Sequence, residues 1–381
     1  MKVGLTTFGC DGGRSGIGRY LTMLLSEFRR SGRSDLFEIL SHRDDFDGFG
    51  DHGIPTFEVS DRSRKPIPSL LWHQLALPGW CRRRGWDVVF LPAANRRLPA
   101  KVSCPSVGTV HDLSGLHVKG KYDKLRSAWS LTLVPRLARG LTKILTVSES
   151  SKRDIVEQSR VPEDRVVVTH LGVDHDTFQP IGRADALSEE DARELGVRSP
   201  YVLYVSRLEH PGKGHARLIE AFCKVRERLG LPHQLVLTGG DWFRAEEIHA
   251  AAARHAKNDE VLFAGFVPNA VLPALHRSAA AFVFPSLYEG FGLPLLEAMA
   301  SGVPVACANR SSLPEVAGDA ALLFDPESAS ELEAALETIL TDEARRTELI
   351  AAGTERCKTF TWERTAQATL DVLEQAAGQT A

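Results

Sequence analysis

SLYEGFGLPLLEAMASG, running from Ser286 to Gly302, joins an apolar run to a helix through a glycine-rich turn. The run before it, AAFVFPS, is short, aromatic and β-branched, as a buried strand is. After the turn the apolar positions take a helical period, and Pro294 suits a first helical turn. Amides of residues 290–293 at that helix start would carry about half a unit of positive charge, which favours phosphate. Glu289 and Glu297, eight positions apart on either side of the turn, favour hydroxyls instead, because a carboxylate accepts two hydrogen bonds from a vicinal diol. A ligand carrying both phosphate and hydroxyls fits the pair. The plainer alternative is that Glu297 complements the helix dipole and Glu289 is solvated.

The same strand–turn–helix unit recurs along the chain in two series. The first has strands expected at 2–8, 86–91, 106–110, 143–148 and 165–169, with helical patterns at 17–30 and 122–139. Strands at 201–206, 234–238, 261–265, 280–285 and 304–308 form the second, with helices at about 215–229, 244–256, 270–278 and 294–300. Alternating strands and helices imply right-handed crossovers and parallel sheets. The polar, non-periodic stretch 177–199 reads as a linker between two Rossmann-like halves, and TWERTAQATLDVLEQA after Phe360 reads as a capped amphipathic helix. His111, Asp112, Arg207, Gly239, Gly240, Glu289, Ser311 and Ser312 all fall just beyond strand carboxyl ends, the edge where doubly wound sheets bind ligands.

Bulk composition narrows the field. A chain of 381 residues exceeds one ordinary core, so two domains are expected. No apolar run approaches the length of a membrane span, and MKVGLTTFGCDGG reads as a strand and loop, not a signal peptide. Six scattered cysteines suggest a reducing compartment, with neither a disulfide framework nor zinc spacing. Residues 1–180 hold 27 of the 46 Lys+Arg and 20 of the 49 Asp+Glu, leaving 19 against 29 in the remainder. A basic front half hints at an anionic partner there, unless the charge is merely solvated.

Three further constellations carry chemistry. In GCDGGRSGIGRY, glycines at 9, 12, 13, 16 and 18 precede a helix and would let a phosphate or sugar approach the backbone. A dinucleotide fingerprint is disfavoured, since its acidic residue about 20 positions later is missing. VSRLEHPGKGH sets Arg207 at a strand end and Lys213 six residues on, a fork and a point charge able to clamp a diphosphate. It is no Walker loop: Arg207 stands where the first glycine belongs, and Gly214 follows Lys213. GTVHDLS ends a strand with His111, suited to a sugar hydroxyl, to proton transfer or simply to bridging loops. A nucleotide sugar has the diphosphate, ribose and hexose that these groups suit.

The segments SRLEHPGKG, QLVLTGG, LFAGFVP and PSLYEGFGLPLLEAMASGVPV, with SSLPEVAGDAALLFDP, resemble the retaining glycosyltransferases of family 4, which have the GT-B fold. GGRSGIGRY, TVHDLS, TVSESSKRDI and HLGVDHDTFQP fit the same family, so the resemblance covers essentially the whole chain. It implies two Rossmann-like domains facing across a cleft: 1–176 on the acceptor side, a 177–199 linker, 200–357 binding the nucleotide sugar, and 358–381 as a helix crossing back to the first domain. It also implies roles. Glu289 would lie by the donor sugar and Glu297 at the ribose. Arg207 and Lys213 would hold the diphosphate, with amides of Gly290, Phe291, Gly292 and Leu293 beside them. Phe266 and Val267 would read the base, Gly16 would lie near the reacting phosphate, and His111 near a far sugar hydroxyl. One departure, His170–Leu171 in HLGVD where many relatives have Asn before the Gly, is given no function.

The expected reaction is hexose transfer with retained configuration to a glycan or lipid-linked acceptor, needing no metal and no cofactor. GDP-mannose is the first expectation for the donor, with a UDP-linked hexose the alternative and a non-catalytic nucleotide-sugar-binding protein the rival from another class. An epimerase or dehydrogenase would need a Tyr-x-x-x-Lys pair or a nicotinamide fingerprint, and neither is evident. No nucleic-acid partner is expected. RSRKPIPSLLWHQLALPGWCRRRGW, residues 62–86, mixes basic and aromatic groups. It reads either as a peripheral contact with anionic lipid, on the inner face of the membrane of an otherwise cytoplasmic protein, or as an apolar helix packed into the first domain.

Overall fold

The computed structural model describes residues 1–49, 52–118, 132–182, 185–257 and 259–379. Counting only these, the chain forms two compact units, one of 1–116, 132–172 and 362–379, the other of 117–118 and 173–361. Each is built on one wholly parallel sheet.

In the first unit the strands are β1 (Val3–Thr6), β2 (Phe37–Ser41), β3 (Thr56–Glu58), β4 (Val88–Leu91), β5 (Ser106–Thr109), β6 (Lys143–Thr146) and β7 (Val166–Val168), in the order β3-β2-β1-β4-β5-β6-β7. The second unit has β8 (Tyr201–Val205), β9 (Gln234–Thr238), β10 (Val261–Gly265), β11 (Ala281–Phe284), β12 (Val305–Ala308) and β13 (Leu322–Phe324), in the order β10-β9-β8-β11-β12-β13. Runs such as VVFL in β4 and AFVF in β11 are buried along their whole length, as expected of parallel strands covered on both faces by helices. In each sheet the order reverses once, between β1 and β4 and between β8 and β11. Crevices at such reversals, beyond the strand carboxyl ends, are where these sheets take ligands.

All ten strands expected from the sequence are present; β2, β3 and β13 are additional. Of the helical pattern expected at 122–139, residues 122–131 lie outside the described residues, and Val134–Ala138 is helical. The stretch read as a linker differs from that expectation. The units divide between Gly172 and Val173, and 177–199 belongs with the second unit and contains the helix Glu189–Leu195. Ser188 caps it through Asp191 N at 3.0 Å, and Glu189, Glu190 and Asp191 suit its N-terminal dipole. None of its residues is buried, so it lacks the apolar period by which a helix is recognised.

The last helix, Trp362–Ala377, lies in the first unit, packed against the helix Gly16–Arg30 and strands β4–β6. Trp362, Ala366, Leu370 and Leu373 form its buried stripe, and Thr365 Oγ1 donates to the carbonyl of His170 at 2.7 Å. His170 thus serves the fold through its backbone.

Residues 62–86 form two helices, Pro66–Leu75 and Leu77–Arg84. Ser69, His73, Leu77 and Cys81 face inward, which is the packed-helix reading. The other face is unusual: Ile67, Leu71 and Leu75, four residues apart, are 73%, 52% and 77% exposed. Among the described residues no helix is long and apolar enough to cross a membrane.

Candidate functional site

Four loops meet the carboxyl edge of the second sheet around its reversal: those after β8, β9, β10 and β11. The loop after β8 carries Arg207 and Lys213 and ends in the helix His215–Leu229. Tyr204, the fourth residue of β8, donates from its hydroxyl to the carbonyl of Lys213 at 2.7 Å and accepts from Ser286 Oγ at 3.1 Å. One buried tyrosine thereby ties the lysine loop to the end of β11. Gly214 caps the helix at φ +71, where a Cβ would stand 2.3 Å from the carbonyl oxygen of Pro285. Only glycine allows the two loops to come this close.

That approach sets the main contact of the site. Lys213 Nζ lies 2.8 and 2.9 Å from Oε1 and Oε2 of Glu289, with the two side chains 15% and 13% exposed. Lysine and glutamate, 76 positions apart, meet because β8 and β11 are neighbours. Behind them His215 is buried, its pKa pushed down to about 3 by desolvation and then by the Lys213 charge. It is neutral at pH 7 and adds no charge to the lysine.

The turn after Glu289 is held from the next strand. Glu289 N donates to Ser311 Oγ at 2.9 Å, and Ser312 Oγ lies 3.0 and 2.9 Å from the carbonyl oxygens of Glu289 and Phe291. Gly292, at φ +106, caps the helix Leu293–Ala300. Pro294 has no N–H and Leu295 N donates to the carbonyl of Gly292 at 3.0 Å, so Leu293 N is the amide of this first turn left as a donor for a ligand. Phe291 is buried, its ring 5.9 Å from that of Phe360. His117, which groups with this unit, stacks on Tyr288 at 4.6 Å with planes 9° apart.

Arg207 and Glu297 sit differently from the lysine pair. Arg207 is 54% exposed; its guanidinium lies 4.9 Å over the Trp242 ring and 3.9 Å from Glu209 Oε2. Glu297 is buried in the helix Leu293–Ala300, with Oε2 3.8 Å from Nε2 of buried His276. The two glutamates of the opening motif therefore have separate surroundings, one facing a lysine and the other a histidine. After β10, Phe266 is 77% exposed and Val267 is buried, so the pair offers one side chain and its backbone to a ligand.

In the first unit, Gly16 begins the helix Gly16–Arg30, and a Cβ there would meet nothing within 4 Å. The backbone at that point is open to a ligand. His111, after β5, donates from Nε2 to the carbonyl of Pro92 at 2.8 Å, and its ring meets Tyr20 edge-on at 4.9 Å. Burial pushes its pKa down to about 4, against smaller upward effects of the Pro92 bond and Asp112. It is neutral at pH 7 and bridges two loops, one of the roles left open by the sequence. With Nε2 protonated, Nδ1 is left as an acceptor. Sequence reasoning missed Tyr204 and Trp242; Ser311 and Ser312 it placed at a strand end without a task.

Residues 188–356 match the family described as glycosyl transferases group 1, and residues 14–177 match glycosyltransferase family 4. O-antigen chain mannosyltransferase B of Escherichia coli is 32% identical over 295 residues, covering 77% of this chain and 76% of that protein. MMP alpha-(1->4)-mannosyltransferase of Mycolicibacterium hassiacum is 32% identical over 250 residues, 65% of this chain and 57% of that one. Among solved structures, Anabaena Alr3699/HepE in complex with UDP and glucose superposes with a TM-score of 0.75 at 20% identity, over 98% of this chain and all of the other. A Rickettsia africae glycosyltransferase gives 0.73 at 16% identity, over 100% and 99%. At such identities the structures speak to the fold, which is GT-B.

Proposed function

The chain belongs to the group 1, family 4 glycosyltransferases, and from that membership we propose that it moves mannose from GDP-mannose to a hydroxyl of a glycan or lipid-linked acceptor, with retention at the anomeric carbon. The observation that carries this is the Lys213–Glu289 contact beside the glycine turn that opens the helix Leu293–Ala300, at the reversal of the second sheet. Mannose is favoured by the names of the relatives above.

The hard step is departure of the nucleoside diphosphate as an oxocarbenium-like sugar forms. Lys213, Arg207 and the amides of 290–293 offset the charge growing on the leaving phosphate, a task that fixed donors perform without a metal. Glu289 holds the ammonium in place and accepts from sugar hydroxyls, which leaves it poorly suited to attack C1. Front-face substitution fits that arrangement. The C1–O bond to the diphosphate breaks, the acceptor oxygen bonds C1 on the same face, and its proton passes to the departing phosphate oxygen. Glu297 takes the ribose diol in this scheme, and Phe266 and Val267 the base.

The test is release of nucleoside diphosphate from a panel of GDP-, UDP-, ADP- and dTDP-linked hexoses with an acceptor present. GDP-mannose is expected to turn over fastest. Faster release from a UDP-hexose would replace the donor, and none from any donor would favour a non-catalytic binding protein. A glycosylated Glu289 trapped at normal turnover would replace front-face substitution with double displacement.

A second reading concerns where the acceptor is met. Ile67, Leu71 and Leu75 make one exposed apolar stripe, and Arg62, Lys65, Arg82 and Arg83 near it are exposed. An apolar stripe with cations beside it suits an anionic bilayer surface. Sedimentation with phosphatidylglycerol vesicles at low salt is expected for the protein and lost when all three are changed to Ser. No sedimentation of the unaltered protein would remove this contact.

A further inference from the structure

Arg207 differs from most arginines in this chain. Among the described residues its guanidinium donates no hydrogen bond to the protein; its neighbours are the face of Trp242 at 4.9 Å and Glu209 Oε2 at 3.9 Å. The five N–H donors lie in the guanidinium plane, so stacking fixes that plane without using any of them. Trp242, in turn, is an indole left 51% exposed, a placement that core packing does not call for.

The backbone holds Trp242 in register. Leu208 N donates to the carbonyl of Gly240, and Trp242 N to that of Leu208, each at 3.0 Å, while Leu208 and Asp241 form an isolated parallel bridge. The β8–β9 pairing thus continues past both strand ends by just enough to bring residue 242 beneath residue 207. An arginine on a loop otherwise surrenders much rotamer freedom when it meets a ligand. Here part of that ordering is complete before the ligand arrives.

We propose that Trp242 is a positioning residue that holds Arg207 by its π face so that the guanidinium fork is presented, uncommitted, to the donor's diphosphate. This rests on the reading of Arg207 as a diphosphate ligand. Trp242 touches the arginine and not the phosphate, so its contribution follows the phosphate and not the nucleoside.

Titration calorimetry with GDP and guanosine, run in parallel with UDP and uridine, tests it on the full chain. Trp242→Ala is expected to weaken diphosphate binding about two- to fivefold, the range of an exposed cation–π contact, and to leave the nucleosides unchanged. Trp242→Phe should keep most of the affinity, and in an Arg207→Ala background Trp242→Ala should add nothing. Equal losses for nucleoside and diphosphate would mean direct stacking on the base, and additive losses would mean that the two side chains act separately; either overturns the proposal. If Arg207→Ala itself leaves diphosphate affinity unchanged, or if neither nucleotide binds the unaltered protein, the reading of the site fails and this inference with it.

Discussion

Alanine at Lys213 is expected to lower kcat about 10²–10³-fold, the loss typical of one preorganised donor facing a developing anion. Two effects add. The ammonium no longer meets the leaving phosphate, and Glu289, only 13% exposed and now without its cation, faces an incoming diphosphate of like charge. KM for the donor should rise as well, because the second effect is present before the reaction begins. Arginine at 213 restores charge but not the point geometry that meets both carboxylate oxygens, so only part of the rate should return. Steady-state kinetics with melting curves for each variant checks this. A Lys213→Ala protein that melts normally and turns over within threefold of the original would remove the lysine from the mechanism.

Alanine at Gly214 is expected to cost about 2–4 kcal/mol in the stability of the second unit. The backbone there is in the left-handed region, and the new Cβ would meet the carbonyl oxygen and carbon of Pro285 at 2.3 and 3.0 Å. Neither obstacle is the end of a flexible side chain, so the two loops must move apart, and with them Lys213 and Glu289. The urea midpoint should therefore fall together with donor binding. Gly240→Ala is the control: its Cβ would meet nothing within 4 Å, and its effect should be close to zero. Equal midpoints for the two variants would contradict the close approach of the loops.

The parallel α/β plan was legible in the sequence because buried strands such as AFVF and VVFL announce themselves as continuous apolar runs between turns. β3 (TFE) and β13 (LLF) are as short as β7 but lack its unbroken β-branched VVV, each with an exposed residue, and Phe37–Ser41 follows a helix through a polar turn with little to set it apart. The capped helix Glu189–Leu195, with no buried residue, was lost for the opposite reason: its determinants are polar. Within the site, spacing along one segment was readable, as with Arg207 and Lys213 or Glu289 and Glu297. Partnerships across segments were not. Lys213 finds Glu289 through the adjacency of β8 and β11, and Arg207 finds Trp242 through a bridge beyond β8 and β9, and neither adjacency is written in local pattern. Nor does spacing tell that Glu297 faces His276, or that His111 is bound to a backbone carbonyl.

The most direct measurement is a crystal structure of the protein with a nucleoside diphosphate bound. Diphosphate oxygens within hydrogen-bonding reach of Lys213 Nζ, the Arg207 guanidinium and the amides at 290–293 are the result expected here. A nucleotide seated elsewhere, with Lys213 still closed on Glu289 and Arg207 turned to water, would contradict it.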